Sequence, residues 1–460
     1  KLTELNNLFA RLKTTSPQEK ESINKAIKRI IDEINAYPES LDQIQKADLY
    51  YTEDLLEESY LKKAEELILE GKVAIELFAA GAATRLLRSL EDKGVEIPKE
   101  KEKDFRMYVF NLWKIVKEHL KEKIPQEAIL GLGLGRRQLL QIRLELERLA
   151  KKRDKNIEDV LQKQIIILHV SDEIEKDVKE ELKRDNYYGF NPENIIILNQ
   201  PFLKGYVVED NKVKLSESDK RYPFNHGFAT LQLTEIIETL IQKGIQFIIT
   251  SRINDLTRYT PYALDIENLA CFLRLIEEKD ANILVELVAN PKGQKGGLGL
   301  KLKDSDYMFL LEGLNTKTDA IQRRLEQLTK EVKKEGLKGL PYNAFRLIYK
   351  LSDLKEILNE GLPYLSLRYR EDEKLIHPEP PTGDITQTEG AKAIALMRKF
   401  DRFTGELLPE DEDYEPGKGE LIHDFKSLDQ LTGARSILLN QDKQPQFRKL
   451  VNKYINKDGG

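Results

Sequence analysis

A chain of 460 residues, 40% hydrophobic and 33% charged, is long enough for a large buried core and has the balance of an ordinary globular protein. Its net charge of −5 and pI near 5.9 exclude a general nucleic-acid binder, which needs a basic face. A single cysteine, Cys271, excludes an intrachain disulfide and a cysteine zinc cluster.

No apolar run approaches the ~20 residues of a membrane span, and the start at Lys1 lacks the apolar core of a signal peptide. A cytoplasmic protein without membrane or nucleic-acid partners is expected, and the missing initiator methionine is expected of a chain that begins inside a longer one. Cys271 lies in the helical pattern ENLACFLRLIEE and reads as a small core residue.

Residues 1–70 read as helical throughout. Ser16-Pro17-Gln18-Glu19 has the form of a helix start, with Ser16 as N-cap, Pro17 at the first helical position and Glu19 closing a capping box. Ile23, Ile27, Ile30, Ile31 and Ile34 follow on one face, a stripe that packs on its own protein or recruits a partner. From Lys72 short apolar runs alternate with amphipathic helices. VAIELF is followed by a helix over Leu139–Lys151, then QIIILHV, a charged helix over Glu173–Arg184, and IIILN. The helix LTEIIETLIQKG, the strand IQFIITS, the helix DIENLACFLRLIEEK and the strand NILVELVA complete the series. Uninterrupted strands between helices predict a mainly parallel sheet covered on both faces. The charged piece over 88–126 reads as an insertion. The expected division is a helical region over 1–70, an α/β domain over 71–330 and an α+β region over 331–460.

Ligands of such sheets bind beyond the carboxyl ends of the strands. The first strand is followed there by the small-residue run Ala79, Ala80, Gly81, Ala82 and Ala83, then Thr84 and Arg85. Small residues let backbone approach a ligand, and the N–H groups at a helix start attract anions. Taken alone, the stretch is equally a tight strand–helix turn. Three further stretches stand at strand ends or helix starts: Arg221-Tyr222-Pro223-Phe224-Asn225-His226-Gly227, Ser251-Arg252-Ile253-Asn254-Asp255-Leu256, and Asn290-Pro291-Lys292-Gly293-Gln294-Lys295-Gly296-Gly297. GLGLGRR, ending in Arg136 and Arg137, precedes a helix and makes those arginines candidate phosphate or sugar contacts.

In this order AAGAATRL, NQPF, YPFNHGF, INDL, QKGG and ITQTEGAKAIALMRKFDRF resemble the UTP–glucose-1-phosphate uridylyltransferase family of UDP-sugar pyrophosphorylases, within the sugar nucleotidyltransferases. The resemblance spans about residues 72–410. It implies a three-layer Rossmann-like nucleotidyltransferase sheet with an N-terminal helical extension and a C-terminal α+β portion. It also implies uridylyl transfer from UTP to a sugar 1-phosphate with Mg²⁺ or Mn²⁺. The triphosphate would lie against Ala80, Gly81, Ala82, Ala83 and Thr84, with Arg85 on its outer phosphates. His226 and Gly227 would flank the nucleoside, a side chain at 227 obstructing the base. Asp255, with Asn254 as the alternative, would reach the metal, and Lys295 would face the sugar phosphate.

The chain departs from the family at several points. Ala83 replaces a loop glycine, Asn225 a glycine and Phe228 an aspartate, and the lysine after the Arg-Phe block is absent. The alternatives are a catalytically weak or inactive nucleotide-sugar-binding protein of the same fold, and a scaffold whose N-terminal helices recruit a protein partner.

Overall fold

The computed structural model describes residues 1–38, 40–80, 108, 132–200, 202–217, 221–223, 226–253, 255–256, 264–288, 296–313, 315–337, 339–362, 366–399, 423–424 and 442–455. The expected insertion over 88–126, Tyr108 apart, lies outside them.

The chain opens with two helices, α1 (Leu2–Thr14) and α2 (Pro17–Asn35). Pro17 takes the first helical position as expected, but Ser16 caps no backbone N–H; its hydroxyl donates to Glu19 at 3.3 Å. The apolar stripe is used internally. Ile23, Ile27, Ile30 and Ile31 bury against Leu5, Phe9 and Leu12 of α1 and against Val208 and Ile376. Each such side chain contributes about 1.5–3 kcal/mol on burial, and only Ile34 remains 40% exposed. A partner-recruiting face on these helices gains no support.

Residues 36–51 overturn the all-helical expectation for this region. They hold two three-residue strands, β1 (Ile44–Lys46) and β2 (Leu49–Tyr51), before the helices α3 (Thr52–Leu55) and α4 (Glu58–Leu69). β1 pairs antiparallel with the strand Leu298–Leu302 and β2 parallel with the strand Ala393–Met397, both more than 240 residues later in the chain. Three residues carry no readable period, so only these pairings make them strands.

The strands that follow are β3 (Val73–Phe78), β4 (Ile165–Ser171), β5 (Ile195–Gln200), β6 (Phe202–Lys204), β7 (Tyr206–Glu209), β8 (Lys212–Leu215), β9 (Arg221–Pro223), β10 (Phe247–Arg252) and β11 (Asp255–Leu256). After them come β12 (Ile283–Val288), β13 (Leu298–Leu302), β14 (Met308–Leu311), β15 (Tyr342–Lys350), β16 (Leu367–Arg370), β17 (Leu375–Pro378), β18 (Ala393–Met397) and β19 (His423–Asp424). Eleven of the strands form one sheet in the order β1-β13-β14-β18-β12-β15-β10-β3-β4-β5, with β2 beside β18. Strands from both ends of the chain therefore share the central sheet.

The predicted runs VAIELF, IIILHV, IIILN, FIITS and ILVELV are all present, and β10-β3-β4-β5 are mutually parallel. The sheet as a whole is mixed rather than mainly parallel. β15 lies antiparallel between β10 and β12, and β13 and β14 are antiparallel. Side chains alternate between two cores. Val73, Ile75 and Leu77 of β3 join one, with the helices α4, Leu134–Lys152, Ile266–Lys279 and Pro445–Tyr454. Ala74 joins the other, with Ile237, Leu240, Leu351, Leu354, Ile357 and Leu358 from the helices Ile237–Gln242 and Leu351–Glu360. Cys271 is fully buried, as read from its pattern.

A four-stranded sheet, β16-β17-β7-β8, carries α1 and α2 on one face. At the far end of the chain, the Pro445–Tyr454 helix docks on the Leu134–Lys152 helix through Phe447, Leu450, Val451 and Tyr454.

Candidate functional site

The carboxyl ends of β3 and β10 lie side by side, with Phe78 in register with Arg252. Ile253 N–H donates to Phe78 O at 3.0 Å, and Ala79 N–H to His169 O at 2.8 Å. Ala80, the first residue of the expected phosphate loop, leaves β3 here and is 6% exposed. Gly81, Ala82, Ala83, Thr84 and Arg85 lie outside the described residues, as do Asn254 and Lys295.

Beneath this rim the sheet holds polar residues inside apolar runs. Glu76 of VAIELF, His169 of IIILHV and Thr250 of FIIT are fully buried. His169 Nε2 is 2.7 Å from Glu76 Oε1, and Thr250 Oγ1 donates to Glu76 Oε2 at 2.5 Å. The link crosslinks β4, β3 and β10 just below the strand ends, and His169 Nδ1 is left with no hydrogen-bond partner among the described residues. Burial, and then the nearby Glu76 carboxylate, push the Tyr349 phenol well above its ordinary pKa, so it stays neutral.

Phe78 caps the network. Its ring stacks on His169 at 4.5 Å and meets Phe345 edge-on at 5.3 Å and His226 edge-on at 6.5 Å. Phe345 arrives there through a bulge: β12 pairs Glu286 with Arg346 but Leu287 with Asn343, which loops out Ala344 and Phe345. Phe345 has φ of +63°, a left-handed conformation that costs a bulky residue about 1–2 kcal/mol. The Arg252 guanidinium lies 4.9 Å from its ring centre.

His226 begins the His226–Leu231 helix. Its Nδ1 accepts the backbone N–H of Thr382 at 2.8 Å and lies 3.0 Å from the Thr382 hydroxyl. A ring nitrogen that accepts an N–H carries no proton, so neutral His226 holds its hydrogen on Nε2. Thr230 completes the clasp, 3.1 Å from Thr382 Oγ1. The turn from Pro380 to Thr382 also explains Gly227. Gly227 N–H donates to Pro380 O at 2.9 Å, and a methyl carbon at 227 would lie 2.7 Å from Pro381 O. Glycine is required there by backbone packing, whatever else binds nearby. We expect Gly227→Val to lower stability by about 1–3 kcal/mol, read from urea unfolding. A variant as stable as the wild type would show that the turn yields.

The next segment adds an acid that the motif reading missed. Asp384 is fully buried, with no hydrogen-bond partner for either carboxyl oxygen among the described residues. Burial first, and Glu312 second, hold its pKa well above the ordinary carboxylate range. Glu312 packs against Gly297, the end of the QKGG stretch, and against Gly383.

Arg136 and Arg137 are brought to internal counter-ions. Arg136 Nε lies 3.0 Å from Glu181 and 2.9 Å from Asp185. Arg137 donates to both oxygens of Asp442 at 2.5 and 3.2 Å, with both residues buried. The helix carrying them starts near the rim, since Gln138 Nε2 donates to Ile253 O at 3.2 Å. Of GLGLG, Leu132 and Gly133 lead into that helix, and Leu134 and Gly135 already belong to its first turn.

The metal expectation rests on Asp255. Its strand β11 leaves the end of β10 and pairs antiparallel with β19, which sets Asp255 opposite Asp424. Among the described residues no group of three or more His, Cys, Asp or Glu side chains could hold a metal ion. An aspartate nonetheless offers the oxygen chemistry that Mg²⁺ takes, and nucleotide phosphates and water commonly supply its other ligands.

No family model matches the sequence, and no curated protein matches it by sequence. Solved structures do match. The chain superposes on the UDP-N-acetylglucosamine pyrophosphorylase of Trypanosoma brucei at 12% identity and a TM-score of 0.57, covering 95% of this chain and 83% of that one. It superposes on a mutant UDP-glucose pyrophosphorylase of Leishmania major, solved with UDP-glucose, at 14% identity and a TM-score of 0.52, covering 86% and 75%. A protein of Entamoeba histolytica described as a UDP-N-acetylglucosamine pyrophosphorylase gives 18% identity and a TM-score of 0.51, covering 81% and 84%. The chain has the fold of the UDP-sugar pyrophosphorylases.

Proposed function

We propose that this protein is a sugar nucleotidyltransferase that moves uridylyl from UTP to a sugar 1-phosphate, giving a UDP-sugar and pyrophosphate. One observation carries the reading within that fold. Three stretches far apart in the chain converge at the carboxyl ends of β3 and β10. They are Phe78–Ala80 leading into the small-residue loop, Arg252–Ile253 leading into Asp255, and His226-Gly227 on the Pro380–Thr382 turn.

The reaction asks for alignment and charge neutralisation rather than a protein nucleophile. A phosphate oxygen of the sugar attacks the α-phosphorus, and the bond to pyrophosphate breaks. Backbone N–H groups from Ala80 to Thr84 and the Arg85 fork would hold the triphosphate, and Lys295 would face the incoming phosphate. His226, fixed through Nδ1, presents an N–H at Nε2. Asp255 would hold Mg²⁺, which when bound neutralises charge on the phosphates.

Pyrophosphate release measured with UTP, Mg²⁺ and a panel of sugar 1-phosphates tests the proposal. At least one sugar should support turnover. UTP binding without turnover on any sugar would favour the inactive binder, and no binding at all would remove the uridylyl reading. Among the described residues no helix is long and apolar enough to cross a membrane.

A further inference from the structure

The four-stranded sheet ends on an open strand. In the order β16-β17-β7-β8, β8 pairs with β7 alone among the described residues, and all four of its side chains are exposed. Val213 and Leu215, at 59% and 60%, are the most exposed large apolar side chains among those residues. Val213 stands opposite Val208, which is buried with the apolar residues of α1 and α2. Opposite residues share a face, so the apolar surface under those helices runs on across β8 and ends uncovered.

The hairpin turns its backbone outward at the same two residues. Ser216 N–H donates to Gly205 O at 2.8 Å, and an antiparallel ladder alternates bonded with non-bonded pairs. Lys212 and Lys214 therefore bond to β7, whereas the N–H and C=O groups of Val213 and Leu215 point to the free edge. Such an edge is a template for another strand, and lysines commonly guard it. Here the lysines stand on the opposite face from the apolar pair. Lys214 is also held within the hairpin, by Asp210 at 2.7 Å and Glu209 at 3.8 Å. The two acids Glu209 and Asp210 cancel the two lysines, so the hairpin meets a copy of itself with no net charge of its own.

We infer that β8 is the pairing edge of a homodimer, bound antiparallel to β8 of a second copy of this chain. Val213 and Leu215 must both hydrogen-bond across that edge, and one register also sets apolar against apolar at both. It places Val213 opposite Leu215 of the second copy, with the two-fold axis at Lys214. A shift of two residues sets Glu217 opposite Val213, or Asn211 opposite Leu215. An acidic peptide fits less well, because Lys214 already has its carboxylates. The contact is short, so the dimer is transient. The inference is independent of the uridylyl-transfer reading.

Sedimentation velocity of the full chain at rising concentration, with hydrogen exchange over residues 212–215, tests this. The wild type should pass from monomer to dimer, and the Val213 and Leu215 amides should slow as it does. Leu215→Pro removes one outward N–H without touching the β7 ladder, and it should abolish the dimer. The double change Val213→Lys/Leu215→Lys should do the same, and it decides the matter if unfolding midpoints show that Leu215→Pro does not fold. Mixed Val213→Cys and Leu215→Cys chains should form a disulfide on mild oxidation that neither forms alone; Cys271 is buried and does not compete. A wild type that stays monomeric at every concentration overturns the inference, whether its edge exchanges freely, is covered by its own chain or is protected only by an added acidic peptide. A dimer indifferent to the folded edge variants overturns it as well, since it would use another surface.

Discussion

Replacing Arg137 with methionine should lower stability by about 3–5 kcal/mol, the cost of breaking a buried ion pair by removing one partner. Asp442 is fully buried and Arg137 is 2% exposed, so neither charge has water to fall back on. The pair is bidentate, and Arg137 also lies over the Phe447 ring at 5.6 Å. Loss of the guanidinium leaves a buried carboxylate without its bidentate cation, so that it must either stay charged away from water or take up a proton. The partner change, Asp442→Leu, should cost a similar amount. The double variant Arg137→Met/Asp442→Leu should recover most of the loss, because a well-packed apolar pair is often neutral or better. Urea unfolding of the three variants measures the coupling. If Arg137 were instead a phosphate contact, its single variant would lose ligand affinity with little change in stability, and the double variant would rescue nothing.

The pair matters because of what it joins. The Leu134–Lys152 helix begins beside the strand-end rim, where Gln138 bonds Ile253 O. The Pro445–Tyr454 helix is bound to it through Asp442, Phe447 and Tyr454. Loosening the C-terminal helix should therefore also loosen one wall of the candidate site.

A second large effect should come from Glu181→Gln, and it should depend on pH. Burial, opposed by Arg136 and reinforced by Asp185, pushes the Glu181 carboxyl up to about 7. Tyr108 and Tyr188 add hydrogen bonds that favour the charged form but do not reverse the shift. In the unfolded chain a glutamate titrates near 4.3. Between those values the folded state holds a proton that the unfolded state has released. Stability is therefore highest below about 4.3 for this group and falls as pH rises to about 7. The total is on the order of 3 kcal/mol, at about 1.4 kcal/mol per pKa unit. Glu181→Gln removes the titration and leaves Asp185 to Arg136. The variant should match the wild type near pH 4.3 and exceed it by up to about 3 kcal/mol at pH 8. Denaturant unfolding across that range reads the difference directly. Parallel curves for the two proteins would mean that Glu181 ionises normally and that the carboxylates share Arg136 without strain.

Arg136 and Arg137, candidate ligand contacts by their place in GLGLGRR, both meet internal counter-ions, which local sequence does not encode. GLGLGRR announces a glycine-rich turn entering a helix, and the helix is there. Which counter-ion each arginine meets depends on Glu181, Asp185 and Asp442, placed by other helices. The histidine reading is similar. YPFNHG marked His226 as poised at a helix start, but the group that fixes its tautomer is Thr382, 156 residues away. One signal for the buried network was visible: Glu76 and His169 interrupt otherwise apolar strands. Nothing local could reveal that they face each other across β3 and β4.

By itself the sequence determined the strands β3, β4, β5, β10 and β12, the amphipathic helices α2 and Ile266–Lys279, and the burial of Cys271. A strand covered on both faces is apolar at most positions, and a helix covered on one side is apolar at every third or fourth. Those constraints act within a few residues and can be read there. Only the tertiary structure decided that β15 runs antiparallel between β10 and β12, that β1 and β2 are strands, and that Gly227 is glycine because Pro380 and Pro381 press against it. It alone turned Phe345 beneath Arg252. Register, counter-ions and close approach are set by residues far along the chain. Their energies belong to pairs that no local pattern contains.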